Sequence, residues 1–258
     1  MSSPGSRGPS EAPMTAPDNA IIRPVVGRKS PKLGPLAVIV SSGGDLDHLT
    51  RMLPVKEHPV RLMMSRLFLE TGPEAPYAVI GPVVGAPYAV MVMELLIAWG
   101  ARQILYMGWC GAISPQAEIG DVIVPTGAII DEGTSPGYGA EPLEVARPTE
   151  NLRRRITSAL SARVMEFHEG KVWSTDAIYR ETPEKVEHFQ ARNALAVEME
   201  ASALFTVGRF RSVEVGALLV VSDELTTFTW KPGFKDDRFR QTRGTVIEVI
   251  KDLCQNPR

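Results

Sequence analysis

The sequence predicts one α/β domain over residues 34–258, a mostly parallel or mixed central β-sheet flanked by helices. Short apolar or β-branched runs alternate with longer segments of helical spacing along this whole stretch, which is the pattern of strands covered by helices. Neither an internal repeat nor a linker interrupts it. With 44% hydrophobic residues in 258, the chain has ample material for one large core.

Residues 1–33 are rich in Pro, Ser and Gly, carry a modest excess of Arg and Lys, and contain no apolar block. They read as a disordered tail, and the missing apolar block argues against a secretory signal. From Leu36 the texture changes. The run LAVIV predicts a buried strand, and Gly43 and Gly44 predict a tight turn into a helix-like continuation at Asp45. Such a turn can lay backbone N–H groups against an anion, although two glycines after a strand also serve a simple turn.

A second strand is expected at residues 77–80, closed by Gly81 and Pro82. Residues 88–99 follow as a helix with Pro87 in its first turn and Gly100 at its end. Its apolar residues surround nearly the whole circumference, so it should be buried on most sides. Glu94 in its middle requires a partner that the sequence does not name. Residues 102–107 predict a third strand, running into a Gly-x-x-Gly turn at Gly108 and Gly111, and residues 121–130 a fourth strand or a bent pair.

A surface loop is expected over 131–148, a helix over 149–164, a strand at 171–175 and a helix from Pro183 to Ala191. A strong strand at 213–222 ends in Asp223 and Glu224. The last helix, about 240–253, repeats Val246, Val249, Ile250 and Leu253 at helical spacing.

Charge and cysteine content exclude several functions. With 28 basic and 30 acidic residues there is no basic footprint for nucleic acid. Cys110 and Cys254 lie far apart without the pair spacing of a zinc or redox site, so no metal is expected and a reduced, cytoplasmic setting is. The longest apolar run, 89–99, is broken by Glu94 and too short to span a bilayer, so no membrane partner is expected.

The chemistry concentrates in ALAVEMEASALF, residues 194–205. An apolar run ends in two carboxylates, Glu198 and Glu200, around Met199, and then becomes helix-forming. This predicts a strand-to-helix junction with acids at its rim, and strand carboxyl ends are where open α/β sheets hold ligands. Ionised carboxylates accept short hydrogen bonds from O–H donors, so a vicinal diol such as that of ribose suits them. Equally, acids at a helix start are favoured by the macrodipole alone.

Taken together, several segments resemble the nucleoside phosphorylase family, which includes purine nucleoside phosphorylases, uridine phosphorylase and methylthioadenosine/S-adenosylhomocysteine nucleosidases. The segments are Gly44–Asp45, the Gly-x-x-x-Gly-x-Pro stretch at 81–87, ELLI and WGA at the helix end, GWCGAI, IGDVIVP, VEMEASALF and VVSDE. The likeness covers about residues 35–255. It implies an enzyme that cleaves a glycosidic bond at ribose, with Glu200 gripping the sugar diol, Met199 packing beneath the sugar and Glu198 supporting it. Asp223 falls where purine-cleaving members face the base, and a carboxylic acid there would protonate the departing purine. An N-cap role is the alternative for Asp223. Pyrimidine-holding Gln and Arg positions fall near Thr182 and Glu184, which carry neither.

The resemblance also implies a phosphate site, and here the sequence departs. The two arginines and the Ser or Thr of phosphorolytic members correspond to His48, Tyr106 and Trp109. Gly44, Gly108 and Gly111 would remain as N–H donors, with His48 for charge. Trp109 can fill the emptied pocket, stack on a ligand or join the core. Ile178 matches the base-stacking position, with Tyr179 beside it, and Arg66 matches an arginine lent to a neighbouring subunit. The expectation is therefore a purine-preferring pentosyltransferase with a small-molecule nucleoside as partner, working without a cofactor in a homo-oligomer, a dimer, trimer or hexamer. Inorganic phosphate is the expected co-substrate, with water, or binding without turnover, as alternatives.

Overall fold

A computed structural model of the chain describes residues 20–72 and 76–256. Most of the expected tail, residues 1–19, lies outside the described residues. The rest of it touches the domain: the Trp99 indole donates to the Val25 carbonyl at 3.1 Å, and Leu33 N–H to the Trp99 carbonyl at 2.9 Å.

The domain opens with β1 (Leu36–Val40) and α1 (Gly43–Met52), then a hairpin of β2 (Val60–Leu62) and β3 (Ser65–Leu69), then β4 (Tyr77–Gly81) and α2 (Ala86–Ala98). Strands β5 (Gln103–Ala112) and β6 (Val122–Asp131) follow, with a 3-10 turn (Ser135–Tyr138) and the short β7 (Val145–Ala146). Next come α3 (Glu150–Ala162), β8 (His168–Thr175), a second 3-10 turn (Ile178–Arg180) and α4 (Pro183–Ala191). The chain ends with β9 (Ala194–Glu198), α5 (Ala201–Arg211), β10 (Glu214–Glu224), β11 (Lys231–Pro232) and α6 (Asp237–Gln255).

The described strands form one mixed sheet in the order β11-β10-β6-β8-β9-β5-β1-β4-β3-β2, with β7 on β6. Strand β10 also pairs with β5, so β5, β10, β6, β8 and β9 close into a ring. The closure decides where the site lies. Gly111 of β5 pairs with Val197 of β9 on one side and with Asp223 of β10 on the other. Neighbouring strands stand about 4.8 Å apart, so the acids ending β9 and β10 flank one strand at a separation of about 10 Å.

Two hydrophobic layers cover the sheet. One packs α2 and α5 against Ala37, Ile39, Ile104 and Tyr106, and the other packs α1, α3 and α6 against Val38, Leu105 and Met107. Alternate residues of β1 and β5 supply the two layers, as the two-residue period of a strand requires. Both faces are therefore apolar, which is why these strands read as continuous runs in the sequence.

Some sequence expectations need correction. The Gly-x-x-Gly turn is absent: β5 runs straight through Gly108, Trp109, Cys110 and Gly111, paired with β10 over this whole stretch. The pairing with β10 stabilises extended backbone at glycines that in isolation favour a turn. Residues 121–130 form one strand with a register shift between Pro125 and Gly127, and the 131–148 loop contains β7. The β2–β3 hairpin carried no clear signal, because Arg61 and Arg66 interrupt its apolar pattern. Glu94 of α2 finds its partners in Arg211 of α5, which donates two-pronged at 2.9 Å, and in the Tyr138 hydroxyl at 3.0 Å.

Candidate active site

At the β9–α5 junction the chain bends as the acids require. Glu198 ends the strand and turns one carboxylate oxygen onto the first turn of α5, accepting from Glu200 N–H and Ala201 N–H at 2.7 Å each. Its other oxygen accepts from the Ser174 hydroxyl of β8, whose oxygen in turn receives Ser202 N–H at 2.9 Å. Glu198 thus satisfies the free N–H groups of a buried helix start. Its carboxyl lies under the junction, with all its hydrogen bonds inside the chain.

Glu200 points the other way. Its Oε1 accepts from Gly85 N–H at 2.5 Å and its Oε2 from the Tyr106 hydroxyl at 2.7 Å. Gly85 precedes α2 with φ of 86°, a left-handed conformation that costs glycine little and offers its N–H to the carboxylate. Tyr106 is fully buried beneath Glu200, and a Cβ at Gly108 would stand 2.5 Å from its hydroxyl, so only glycine leaves room for that ring. Each oxygen of Glu200 keeps one acceptor direction for a further donor. Met199, between the acids, is half-buried.

Burial sets the electrostatics of this group. Glu198 and Glu200 are each 4% exposed. Desolvation, then the charge of Glu200, pushes Glu198 up to about 8 against the pull of Ser174 and the two N–H groups. Burial likewise raises Glu200, while Tyr106 and Gly85 act to lower it. Burial and the two glutamates hold the Tyr106 phenol well above its usual range, so it remains a neutral donor.

Asp223, across Gly111, forms a second group. Its Oδ1 accepts from the Ser222 hydroxyl at 2.6 Å and its Oδ2 from the Trp230 indole at 3.0 Å. It lies within β10, ahead of β11, and not at a helix start, so it caps no helix. On the turn after the Ile178–Arg180 segment, burial and then the charge of Asp223 push the Glu181 carboxyl up to about 7, against an opposing contribution from Lys185.

A third group stands at the start of α1, where Gly43 and Gly44 are helical and form no separate tight turn, Ser42 being the residue before the helix. Trp109 donates its indole N–H to Asp45 Oδ2 at 2.7 Å, and Arg243 of α6 donates through Nε to Asp45 Oδ1 at 2.9 Å. The Arg243 guanidinium lies 4.6 Å from the Trp109 ring centre, and Phe239 meets that ring edge-on at 5.2 Å. Trp109 and Tyr106 are an odd number of residues apart on an extended strand, so they face opposite layers. Trp109 packs with the layer of α1 and α6, Tyr106 with that of α2 and α5.

The other candidates spread around these groups. His48 is half-buried on α1 and makes no side-chain hydrogen bond among the described residues. Arg66 pairs with Asp47 at 2.7 Å, both partly exposed. Ile178 and Tyr179 project into solvent, Tyr179 almost entirely. Thr182 caps α4 and Glu184 is exposed in its first turn. Ser174, Glu181, Trp230 and Arg243 were not singled out from the sequence, and Gly85 only as part of the 81–87 stretch. Trp230 alone had a signal, an aromatic in an otherwise polar stretch; the rest meet the site only through sheet closure and helix packing.

Comparison with known proteins identifies the family. Residues 35–254 match the phosphorylase superfamily. A guanosine phosphorylase of Halorubrum lacusprofundi is 35% identical over 166 residues, 64% of this chain and 68% of that protein. The crystal structure of a purine nucleoside phosphorylase from Toxoplasma gondii in complex with immucillin-H superposes with a TM-score of 0.77 at 19% identity, covering 88% of this chain and 92% of that one. A uridine phosphorylase from Vibrio fischeri gives 0.76 at 23% identity, covering 87% and 93%.

Proposed function

The chain belongs to the phosphorylase superfamily, and from that premise we propose that it is an enzyme that cleaves the N-glycosidic bond of a ribonucleoside, purine preferred. The observation that carries this reading is the pair of acid groups on either side of Gly111. A buried carboxylate with spare acceptor directions, Glu200, suits a sugar diol. Asp223, across β5 from the β9–α5 junction, would meet the base of the same molecule, and Met199 would lie under the sugar. Glu198 acts beneath, holding the junction in the shape that aims Glu200.

Phosphate is the acceptor by kinship with the guanosine phosphorylase, making the enzyme a pentosyltransferase that needs no cofactor. A second reading, hydrolysis, is favoured by one observation. Tyr106 and Trp109, at the positions read as the phosphate site, direct their polar hydrogens to Glu200 and Asp45, and the charge of Arg243 is matched by Asp45. A bound phosphate dianion needs cations or an array of N–H donors. Gly44 and His48 would have to supply them, with Gly108 and Trp109 as the far wall.

We further propose a homo-oligomer in which Arg66 reaches a neighbouring copy's site, and a base contact from Ile178 and Tyr179. A cytoplasmic setting fits two buried free cysteines; among the described residues no helix is long and apolar enough to cross a membrane. Incubation with inosine, guanosine, adenosine and uridine, with chromatography for the free base, tests the reading. Release of a purine base faster than uracil is expected. Tight nucleoside binding with no base released would make the protein a binder and overturn it.

A further inference from the structure

Glu132, just past the end of β6, is a further buried carboxyl group, 7% exposed. Its Oε2 accepts from Thr134 N–H at 2.5 Å and from Ser135 N–H at 3.0 Å, which folds the chain into the Ser135–Tyr138 turn. Its Oε1 accepts from the Ser202 hydroxyl at 3.0 Å. Ser202 is fully buried in the first turn of α5, two residues beyond Glu200. The Ser202 N–H donates to Ser174 of β8, whose hydroxyl continues to Glu198. A chain of buried hydrogen bonds therefore runs from the turn after β6 to the junction that carries Glu200.

The same turn is tied to the helix on the other side of Glu200. Tyr138 donates to Glu94 of α2 at 3.0 Å and meets Phe210 of α5 edge-on at 5.3 Å. Gly85, which donates to Glu200 Oε1, is the residue before α2. Buried hydrogen bonds are costly to break on one side only, so such a chain holds its members in one arrangement. Glu200 is the residue before α5, and where its carboxylate points depends on where the first turn of that helix sits.

We propose that Glu132 is a positioning residue for the sugar-binding carboxylate of Glu200, acting through the Ser202 hydroxyl. This rests on the reading of Glu200 as the diol acceptor. Glu132 holds the first turn of α5 from the end of β6, as Ser174 holds it from β8. The Glu200 oxygens then meet the Gly85 N–H and the Tyr106 hydroxyl, and their remaining acceptor directions are kept for the ligand.

Ser202→Ala tests the link, because it removes the hydroxyl alone. The bonds from Ser202 N–H to Ser174, and from Thr134 and Ser135 N–H to Glu132, come from backbone donors and persist. Alanine is the best helix former, so the variant should fold. By calorimetry, ribonucleoside affinity should fall about two- to tenfold more than 2′-deoxyribonucleoside affinity, the range of one hydrogen bond. Glu132→Ala should show the same selective loss, and the double variant no larger change in the ratio, because both substitutions break one path. Exchange of the Gly85 amide, followed by NMR without any nucleoside, should quicken in Ser202→Ala. If Glu200→Ala alters the ribo-to-deoxyribo ratio and Ser202→Ala does not, the proposal alone is overturned. Unchanged Gly85 exchange, or additive losses in the double variant, overturn it as well, whatever the melting temperatures. If Glu200→Ala itself leaves the ratio unchanged, the diol reading fails, and the proposal with it.

Discussion

Glu200 shows how a single side chain can be fully hydrogen-bonded and still open to a ligand. Gly85 N–H and the Tyr106 hydroxyl each engage one oxygen, which fixes the plane of the carboxylate and leaves one acceptor direction per oxygen. Such fixing limits the ordering cost of ligand binding. A ribose then presents two hydroxyl donors, and a 2′-deoxyribose one. Glu200→Ala should weaken ribonucleosides more than their 2′-deoxy counterparts, by about 1.5–3 kcal/mol for the lost charge-assisted bond. Titration calorimetry with matched ribo and deoxy ligands measures the difference, and equal losses would place Glu200 away from the diol. The sequence marked this glutamate as a candidate, with a plain helix-start role as the alternative. It placed Gly85 in the 81–87 stretch but could not join it to Glu200, 115 residues away, which it reaches through the packing of α2 against α5.

At the scale of elements, α5 is a helix whose first eight residues are all buried, Ala201 through Gly208. Its N-terminus is buried, and its first N–H groups are taken up by Glu198 and Ser174. The arrangement has a cost that varies with pH. Glu198 keeps its proton to about 8 in the folded chain, far above the ordinary glutamate value near 4.3 of an unfolded one. Between these values the folded state binds more protons than the unfolded state, so stability is fullest below the lower value and falls as pH rises through the window. Urea unfolding from about pH 5 to 8 should show this decline, and Glu198→Gln should flatten it. A decline unchanged in the variant would mean that Glu198 does not carry that proton. The junction itself was readable from an apolar run ending in Glu-Met-Glu before helix-forming residues. Its dependence on Ser174 was not, because β8 and β9 meet only through parallel pairing across an intervening helix.

For the whole molecule, ring closure of β5, β10, β6, β8 and β9 brings the acids that end β9 and β10 to the two sides of Gly111, while α1, α6 and Trp109 pack together beside the start of α1. Phosphorolysis should yield ribose 1-phosphate only when phosphate is supplied, and hydrolysis free ribose at a rate indifferent to phosphate. Product analysis by mass spectrometry separates them. Free ribose formed equally with and without phosphate would sink the phosphorolytic assignment.

The sequence by itself determined the alternation of strands and helices, and it marked Glu200, and through the family resemblance Asp223, as candidate acids. These properties are local: periodicity, β-branching and the abrupt end of an apolar run are written in consecutive residues. The tertiary structure decided whatever depended on pairing between distant segments. It made GWCG a strand and not a turn, because β10 holds it extended, and it sent Tyr106 and Trp109 to opposite layers. It gave Glu94 its arginine and turned Glu198 inward onto a helix end. It also brought the charge of Asp223 to bear on Glu181, 42 residues earlier in the chain. Charge and hydrogen bonding act through space, and for buried groups the partner that balances a charge is chosen by the sheet's closure and not by the neighbours in the chain.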